Sequence, residues 1–294
     1  MQIHPLHQQH GRHYQANRFV YPVLSRRSGG ISIGINLNPD KVCNFDCIYC
    51  QVDRTSQAET RFVETAALLE ELDSLLELAR SGELFSDEPF ASIPAELQQL
   101  SDIAFSGDGE PTSHRNFAEI VAACAAAKDS HGLADLPMVL ITNASMFHRP
   151  HIQQGLEILA AHQGQIWAKL DAGSEQYYQL IERTPIPFQQ VLDNILLAAR
   201  QWPIVIQALF MEVQGQPPDA NEQQAFCDRL NEVIQQGGTI SLVQVYTVAR
   251  PPAESYVGPL SNQAVDELVQ RVIDSTGLTA RGFYGSLPGG EGSP

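Results

Sequence analysis

Along most of this chain, apolar runs of strand length alternate with amphipathic runs of helical spacing. No other feature constrains the fold as much. Strand-like runs fall at 30–37, 102–105, 138–141, 165–170, 204–213 and 239–248, and a last one is expected over 278–284. Between them, 64–80 carries Leu68, Leu69, Leu72, Leu75, Leu76 and Ala79 at helical spacing. Further helices are expected at 116–128, 151–161, 176–182, 188–200, 222–235 and 262–275, and 83–100 is a connector with a short helical turn. Parallel neighbours need a crossover, so this alternation implies an α/β fold: a parallel sheet covered by helices. In parallel barrels the functional residues gather at the C-terminal ends of the strands.

The chain has 294 residues, 43% hydrophobic and 18% charged, enough for a large buried core. Its formal net charge of −16 repels phosphate backbones, so bulk nucleic acid is not an expected partner. Apolar runs stay short of the ~18 residues of a membrane span, and no leader-like segment opens the chain. With an odd cysteine count, these features set an expectation of a reducing, cytoplasmic location and no membrane contact. Residues 1–27 read as a polar, irregular arm, 28–284 as one domain and 285–294 as a flexible Gly/Pro/Ser-rich tail. The arm holds His4, His7, His10 and His13 at every third position, a compositional metal signal that a solvated run also satisfies. Arg12, Arg18, Arg26 and Arg27 make it the one locally basic part of the chain.

Three of the five cysteines lie within eight residues, Cys43, Cys47 and Cys50, on the loop leaving the first strand-like run. Close thiols form a disulfide, bind zinc or hold an iron–sulfur cluster. A disulfide leaves one thiol over, and structural zinc usually takes four closed ligands. Three thiolates suit a four-iron cluster with one iron open. Cys124 and Cys227 lie in helical runs and read as buried, inert thiols. A second Gly-rich turn, Ser106-Gly107-Asp108-Gly109-Glu110-Pro111-Thr112, follows the 102–105 run. No Lys-Ser/Thr follows it, so it is not a phosphate loop. No Ser/His/Asp triad or HExxH signature stands out.

The Cys-x3-Cys-x2-Cys spacing, with Tyr49 before the last cysteine, resembles the cluster loop of the radical S-adenosylmethionine (SAM) superfamily. The stretches SIGINLNPDKVCNFDCIYC and FSGDGEPT are similar to its branch of wyosine-type tRNA synthases and related iron–sulfur oxidoreductases. The resemblance implies an open six-stranded (β/α)6 partial TIM barrel. It implies a [4Fe-4S] cluster on Cys43, Cys47 and Cys50, with SAM as the ligand of the open iron. It also implies reductive cleavage of SAM to a 5′-deoxyadenosyl radical that abstracts hydrogen from a substrate. Gly107, Asp108, Gly109 and Glu110 stand where the family's Gly-Gly-Glu element holds the methionyl amino group, although here an Asp splits the glycines.

By the same resemblance, Tyr49, Thr142, Asn143, Lys169 and Asp171 are the remaining SAM candidates, and a flavodoxin or ferredoxin delivers the electron. The Lys169-Leu170-Asp171 spacing puts the two charges on one face of a strand, where an ion pair is the alternative reading. For Thr142 and Asn143 the alternative is a cap at the strand end. At the ends of the fifth and sixth strand-like runs, Gln207, Glu212, Gln244, Tyr246 and Arg250 are lesser candidates for substrate or SAM. Wyosine-type enzymes carry a second cluster and basic surfaces, and this chain has too few spare cysteines and too much acid for either. The expected substrate is therefore something other than bulk tRNA. Two alternatives stay open: a tRNA-modifying enzyme of the same chemistry, and a non-enzymatic metal-binding scaffold.

Overall fold

The computed structural model describes residues 6, 14–58, 60–86 and 88–285. The four N-terminal histidines, Arg12 and the tail from 286 onward lie outside these residues. The fold is α/β. Its main sheet has eight strands in the order β1-β2-β3-β4-β5-β6-β8-β10. This is the open partial barrel anticipated from the sequence; beyond the six strands it has the last one expected over 278–284 and one unanticipated strand at the other edge. Two compact units are distinguished: residues up to Asn44 with Arg54–Thr142 and His148–Ile166, and Phe45–Asp53 with Asn143–Phe147 and the chain from Trp167.

In the first unit, β1 (Val20–Ser25) runs antiparallel to β2 (Gly30–Ile35), while β3 (Leu100–Phe105) and β4 (Met138–Thr142) follow in parallel. Every residue of β2 is buried, as expected of a parallel strand covered on both faces. The sequence reading placed 20–25 in the irregular arm, and the structure corrects it to β1. Strand β1 contains Pro22, and as the outermost strand it tolerates the missing N–H. Tyr21 of β1 packs over Gly34, where a Cβ would sit 2.5 Å from the ring. Its hydroxyl donates to Ser106 O at 3.0 Å, tying the new strand to the start of the Gly-rich turn.

Helix α1 (Thr65–Ser81) buries Leu68, Leu72, Leu75 and Leu76 and stops at Gly82, which adopts the left-handed conformation. Three short 3-10 turns fill the connector to β3. Helices α2 (Phe117–Ser130) and α3 (Pro150–Ala161) complete this unit. Phe117 fixes the packing, edge-on to Phe105 and against Gly155.

The second unit takes the end of β5 (Gly164–Lys169), then α4 (Glu175–Glu182), α5 (Phe188–Ala199), β6 (Ile204–Leu209) and β7 (Met211–Val213). It continues through α6 (Ala220–Gln235), β8 (Ile240–Tyr246), β9 (Val257–Pro259), α7 (Asn262–Thr276) and β10 (Ala280–Phe283). Helices α4, α6 and α7 start at Ser174, Asp219 and Ser261, whose side chains accept from backbone N–H groups of the first turn. The single strand expected over 204–213 is two strands. The chain breaks step at Phe210, and β7 leaves the main sheet to pair antiparallel with β9. Periodicity did not reveal the break, because both halves are equally apolar. Strands β6, β8 and β10 are parallel, in the registers Gln207↔Gln244↔Arg281 and Leu209↔Tyr246↔Phe283.

Candidate active site

The cysteine loop is anchored by the residues between its cysteines. Phe45, Ile48 and Tyr49 are buried, whereas Cys43, Cys47 and Cys50 are half-buried. Burying a Phe or Ile side chain is worth about 1.5–3 kcal/mol, so these apolar anchors do much to hold the loop. Phe45 meets the edge of Tyr178, which stacks on Phe188 at 4.7 Å. The loop also finishes helix α4. The Asp46 and Ile48 N–H groups donate to Glu182 O and Ile181 O at 3.1 and 2.9 Å, satisfying carbonyls a helix end leaves open. Arg183 then clasps the loop: its Nε donates to Asp46 O at 2.7 Å, and its other nitrogens reach Asp46 and Glu254. None of the five cysteines is in a disulfide.

A buried polar cluster lies against the loop within the second unit. Asp171 accepts from the Tyr49 hydroxyl, from Lys169 Nζ at 2.8 Å and from Leu209 N at 2.6 Å. Lys169 also donates to the Tyr246 hydroxyl at 3.0 Å and lies over the Tyr49 ring. Burial disfavours the ammonium, but neighbouring Asp171 outweighs it, and the Lys169 pKa is raised well above its ordinary value. Burial, then Asp171, pushes the Tyr49 phenol up as well. Asp171 thus carries three donors.

Glu182 is the group that sequence reasoning missed. It lies 2.7 Å from Cys47 Sγ and 3.0 Å from the Tyr49 oxygen. Burial and the Asp171 charge push its pKa up to about 8. The Tyr49 hydroxyl thus lies between the carboxyl groups of Asp171 and Glu182. Burial, then Glu182, raises the Cys47 thiol. The only sequence trace of Glu182 is weak, an acid in the last turn of a helix, where the macrodipole mildly disfavours it.

Asn143, Lys169, Leu170, Asp171 and Glu182 line one pocket with Phe45 and Tyr178. Asn143 accepts from Ser145 N and Oγ at 3.1 and 2.6 Å, which is the strand-end cap weighed as its alternative role.

In the first unit the Gly-rich turn is built against the approach to Cys43. A Cβ on Gly107 would sit 2.2 Å from Asn36 Oδ1, and one on Gly109 would sit 2.3 Å from Val42 O. The glycines therefore let the turn touch the end of β2 and the loop behind it. Asn36, also unremarked in the sequence, grips Asp108 twice: its Nδ2 donates to Asp108 Oδ2 at 2.7 Å, and its Oδ1 accepts from Asp108 N at 3.1 Å. Glu110 Oε1 takes Thr112 N at 3.0 Å, Thr112 Oγ1 at 2.5 Å and Thr142 Oγ1 at 2.7 Å. The structure thus joins Glu110 to Thr142, two residues noticed separately in the sequence.

The donor chemistry fits a cluster: three uncrosslinked, half-buried thiols on one loop, with Cys124 and Cys227 buried in α2 and α6. Among the described residues, no three His, Cys, Asp or Glu side chains are set around one metal ion. No helix among them is long and apolar enough to cross a membrane.

The sequence profile of the Radical SAM superfamily matches residues 37–214. A Brachyspira hyodysenteriae protein named GTPase Obg is 24% identical over 184 residues, 62% of this chain and 23% of that protein. The chain thus spans under a quarter of that relative's length. A UPF0026 protein of Methanocaldococcus jannaschii is 25% identical over 284 residues, 92% of this chain and 75% of its own. Among solved structures, a radical SAM methyltransferase from Sphaerobacter thermophilus superposes with a TM-score of 0.60 at 12% identity, covering 90% of this chain and 68% of that one. TYW1 with a lysine–pyruvate adduct bound gives 0.51 at 14% identity, covering 83% and 74%. At such identities these structures bear on the fold alone.

Proposed function

The chain belongs to the radical SAM superfamily, and from that premise we propose that Cys43, Cys47 and Cys50 hold its [4Fe-4S] cluster and that its substrate is a molecule other than bulk tRNA. Superfamily enzymes use the cluster and SAM, and need a reductant and a substrate. When bound, the cluster and SAM supply an electron and, by reductive cleavage, a 5′-deoxyadenosyl radical that abstracts hydrogen. The observation that carries the assignment is the loop itself. Its apolar residues are buried and its backbone caps α4, and its three cysteines are half-buried and in no disulfide.

The chain's own groups then have distinct tasks. Tyr49 and Glu182 enclose Cys47 and limit water beside it. Lys169 and Asp171, with Asn143 beside them, present one cationic, one anionic and one amide group for the polar parts of SAM. By the family resemblance, the turn Gly107-Asp108-Gly109-Glu110, with Asp108 held by Asn36 and Glu110 accepting from Thr142, is proposed to take the methionyl amino group. A flavodoxin or ferredoxin in the cytoplasm is the proposed electron source, and five cysteines without a disulfide suit a reducing compartment. The net charge of −16 opposes tRNA, and Arg18 of the arm is paired to Glu64 at 3.5 Å.

The test is anaerobic reconstitution with iron and sulfide, then SAM and a strong reductant, with 5′-deoxyadenosine measured. Formation that disappears in Cys43→Ala, Cys47→Ala and Cys50→Ala is expected. Formation persisting in Cys47→Ala would overturn the ligand assignment, and tRNA binding that falls steeply with salt would overturn the substrate exclusion.

A further inference from the structure

The registers of β6, β8 and β10 set two rows of side chains side by side. One row is Gln207, Gln244 and Arg281, and the next toward the strand ends is Leu209, Tyr246 and Phe283. Both rows lie on one face. A Cβ on Gly282 would meet Val265 and Val269 of α7, so Arg281 and Phe283 point away from that helix. Tyr246 receives the Lys169 ammonium, so this face carries the polar cluster of Lys169 and Asp171.

The polar row is incompletely satisfied. Gln207 Nε2 donates to Gln244 Oε1 at 2.9 Å, but Gln207 Oε1 is buried and accepts from nothing. A buried acceptor left without a donor is costly, so its retention points to a donor supplied from outside the chain. Beside Gln244, Arg281 is exposed. A guanidinium offers the forked donor geometry that matches a carboxylate. The adjoining row is aliphatic and aromatic, with Tyr246 and Phe283 half-exposed.

We propose that Gln207, Gln244 and Arg281 form the substrate-recognition row, and that it takes a small carboxylic acid carrying an O–H or N–H donor near the carboxylate and an apolar remainder. The carboxylate pairs with Arg281, the donor completes Gln207 Oε1, and the apolar remainder lies on Leu209, Tyr246 and Phe283. Calling this ligand the substrate rests on the radical SAM reading; the binding chemistry does not.

Four probes separate the contributions: L-3-phenyllactate, L-phenylalanine, 3-phenylpropionate (no donor) and methyl L-3-phenyllactate (no carboxylate). Each is titrated into the full-length reconstituted protein by calorimetry and ligand-observed NMR. The hydroxy or amino acid is expected to bind, with the donor-free acid and the ester weaker by roughly tenfold or more. Arg281→Gln should equalise acid and ester, and Gln207→Leu should equalise the hydroxy acid and 3-phenylpropionate. No binding by any probe, or discrimination unchanged in Arg281→Gln, overturns the proposal. If Gln207→Leu fails to fold, the exposed Arg281 variant decides alone. 5′-Deoxyadenosine formation is measured in parallel. Selective binding without SAM cleavage leaves the recognition row standing and removes the radical reading, whereas cleavage without selective binding does the reverse.

Discussion

Replacing Asp171 by Asn keeps the side chain's shape and deletes its charge. Asp171 is buried and holds three donors: the Tyr49 hydroxyl, Lys169 Nζ at 2.8 Å and Leu209 N at 2.6 Å. An asparagine has one acceptor oxygen, so its NH2 group must face at least one of those donors. Lys169 keeps the Tyr246 hydroxyl but loses its counter-ion. Breaking a buried ion pair by removing one partner costs about 3–5 kcal/mol. The Lys169 side chain retains 19% exposure, which favours the low end, about 3 kcal/mol. For a chain of this size that corresponds to a fall in Tm of roughly 6 °C.

The assay is urea and thermal unfolding of the cluster-free protein by circular dichroism, with Lys169→Met and the double variant completing a cycle. The double variant should be less destabilised than the sum of the singles, by about 2 kcal/mol or more, because no stranded ammonium is left. A loss under about 1 kcal/mol for Asp171→Asn, or strict additivity, would refute the argument that the Lys169–Asp171 pair is a coupled buried unit.

Three other outcomes are expected. Gly109→Ala puts a methyl 2.3 Å from the Val42 carbonyl, so either the turn or the backbone before Cys43 must shift; a loss of about 1–3 kcal/mol in urea unfolding is expected, and an unchanged midpoint would show that the contact relaxes freely. Arg183→Ala should change global stability little, since its ion pairs are partly exposed, but hydrogen exchange at the Asp46 and Ile48 amides should accelerate; equal protection in both proteins would show that the clasp is idle. Burial raises the Asp102 pKa despite hydrogen bonds from Ser28 and Ser32. The folded state thus holds that proton more tightly than the unfolded one. Its contribution is fullest below about pH 3.8 and declines as pH rises through the elevated folded pKa. Wild type relative to Asp102→Asn should accordingly be more stable at pH 4 than at pH 7, and a reversed or flat difference in paired denaturation curves would contradict the assignment.

Much of this architecture is legible in the residues. Strand β2 could be read because all of its residues are small or apolar, and α1 because its leucines keep helical spacing. Strand β1 was hidden by the basic residues around it, and only its pairing to Ile33 makes it a strand. Likewise Phe210 looks like the middle of a strand until β9 supplies a partner for β7. At the site, the cysteines and the Gly-rich turn are visible as spacing. Glu182 and Asn36 are single polar residues with no spacing at all.

The division has a physical cause. Sequence alone determined the chemistry available: thiols at Cys43, Cys47 and Cys50, glycines at 107 and 109, and a lysine and aspartate two residues apart. It also determined the alternation that makes an α/β sheet, because periodicity and covalent spacing are local. Tertiary structure decided which distant groups share a proton or a charge. It set Glu182 against Cys47 across 135 positions, joined Thr142 to Glu110, and aligned Gln207 with Gln244 and Arg281. Those pairings follow from strand register and helix packing, which are solved by the whole core at once and leave no mark at any one position.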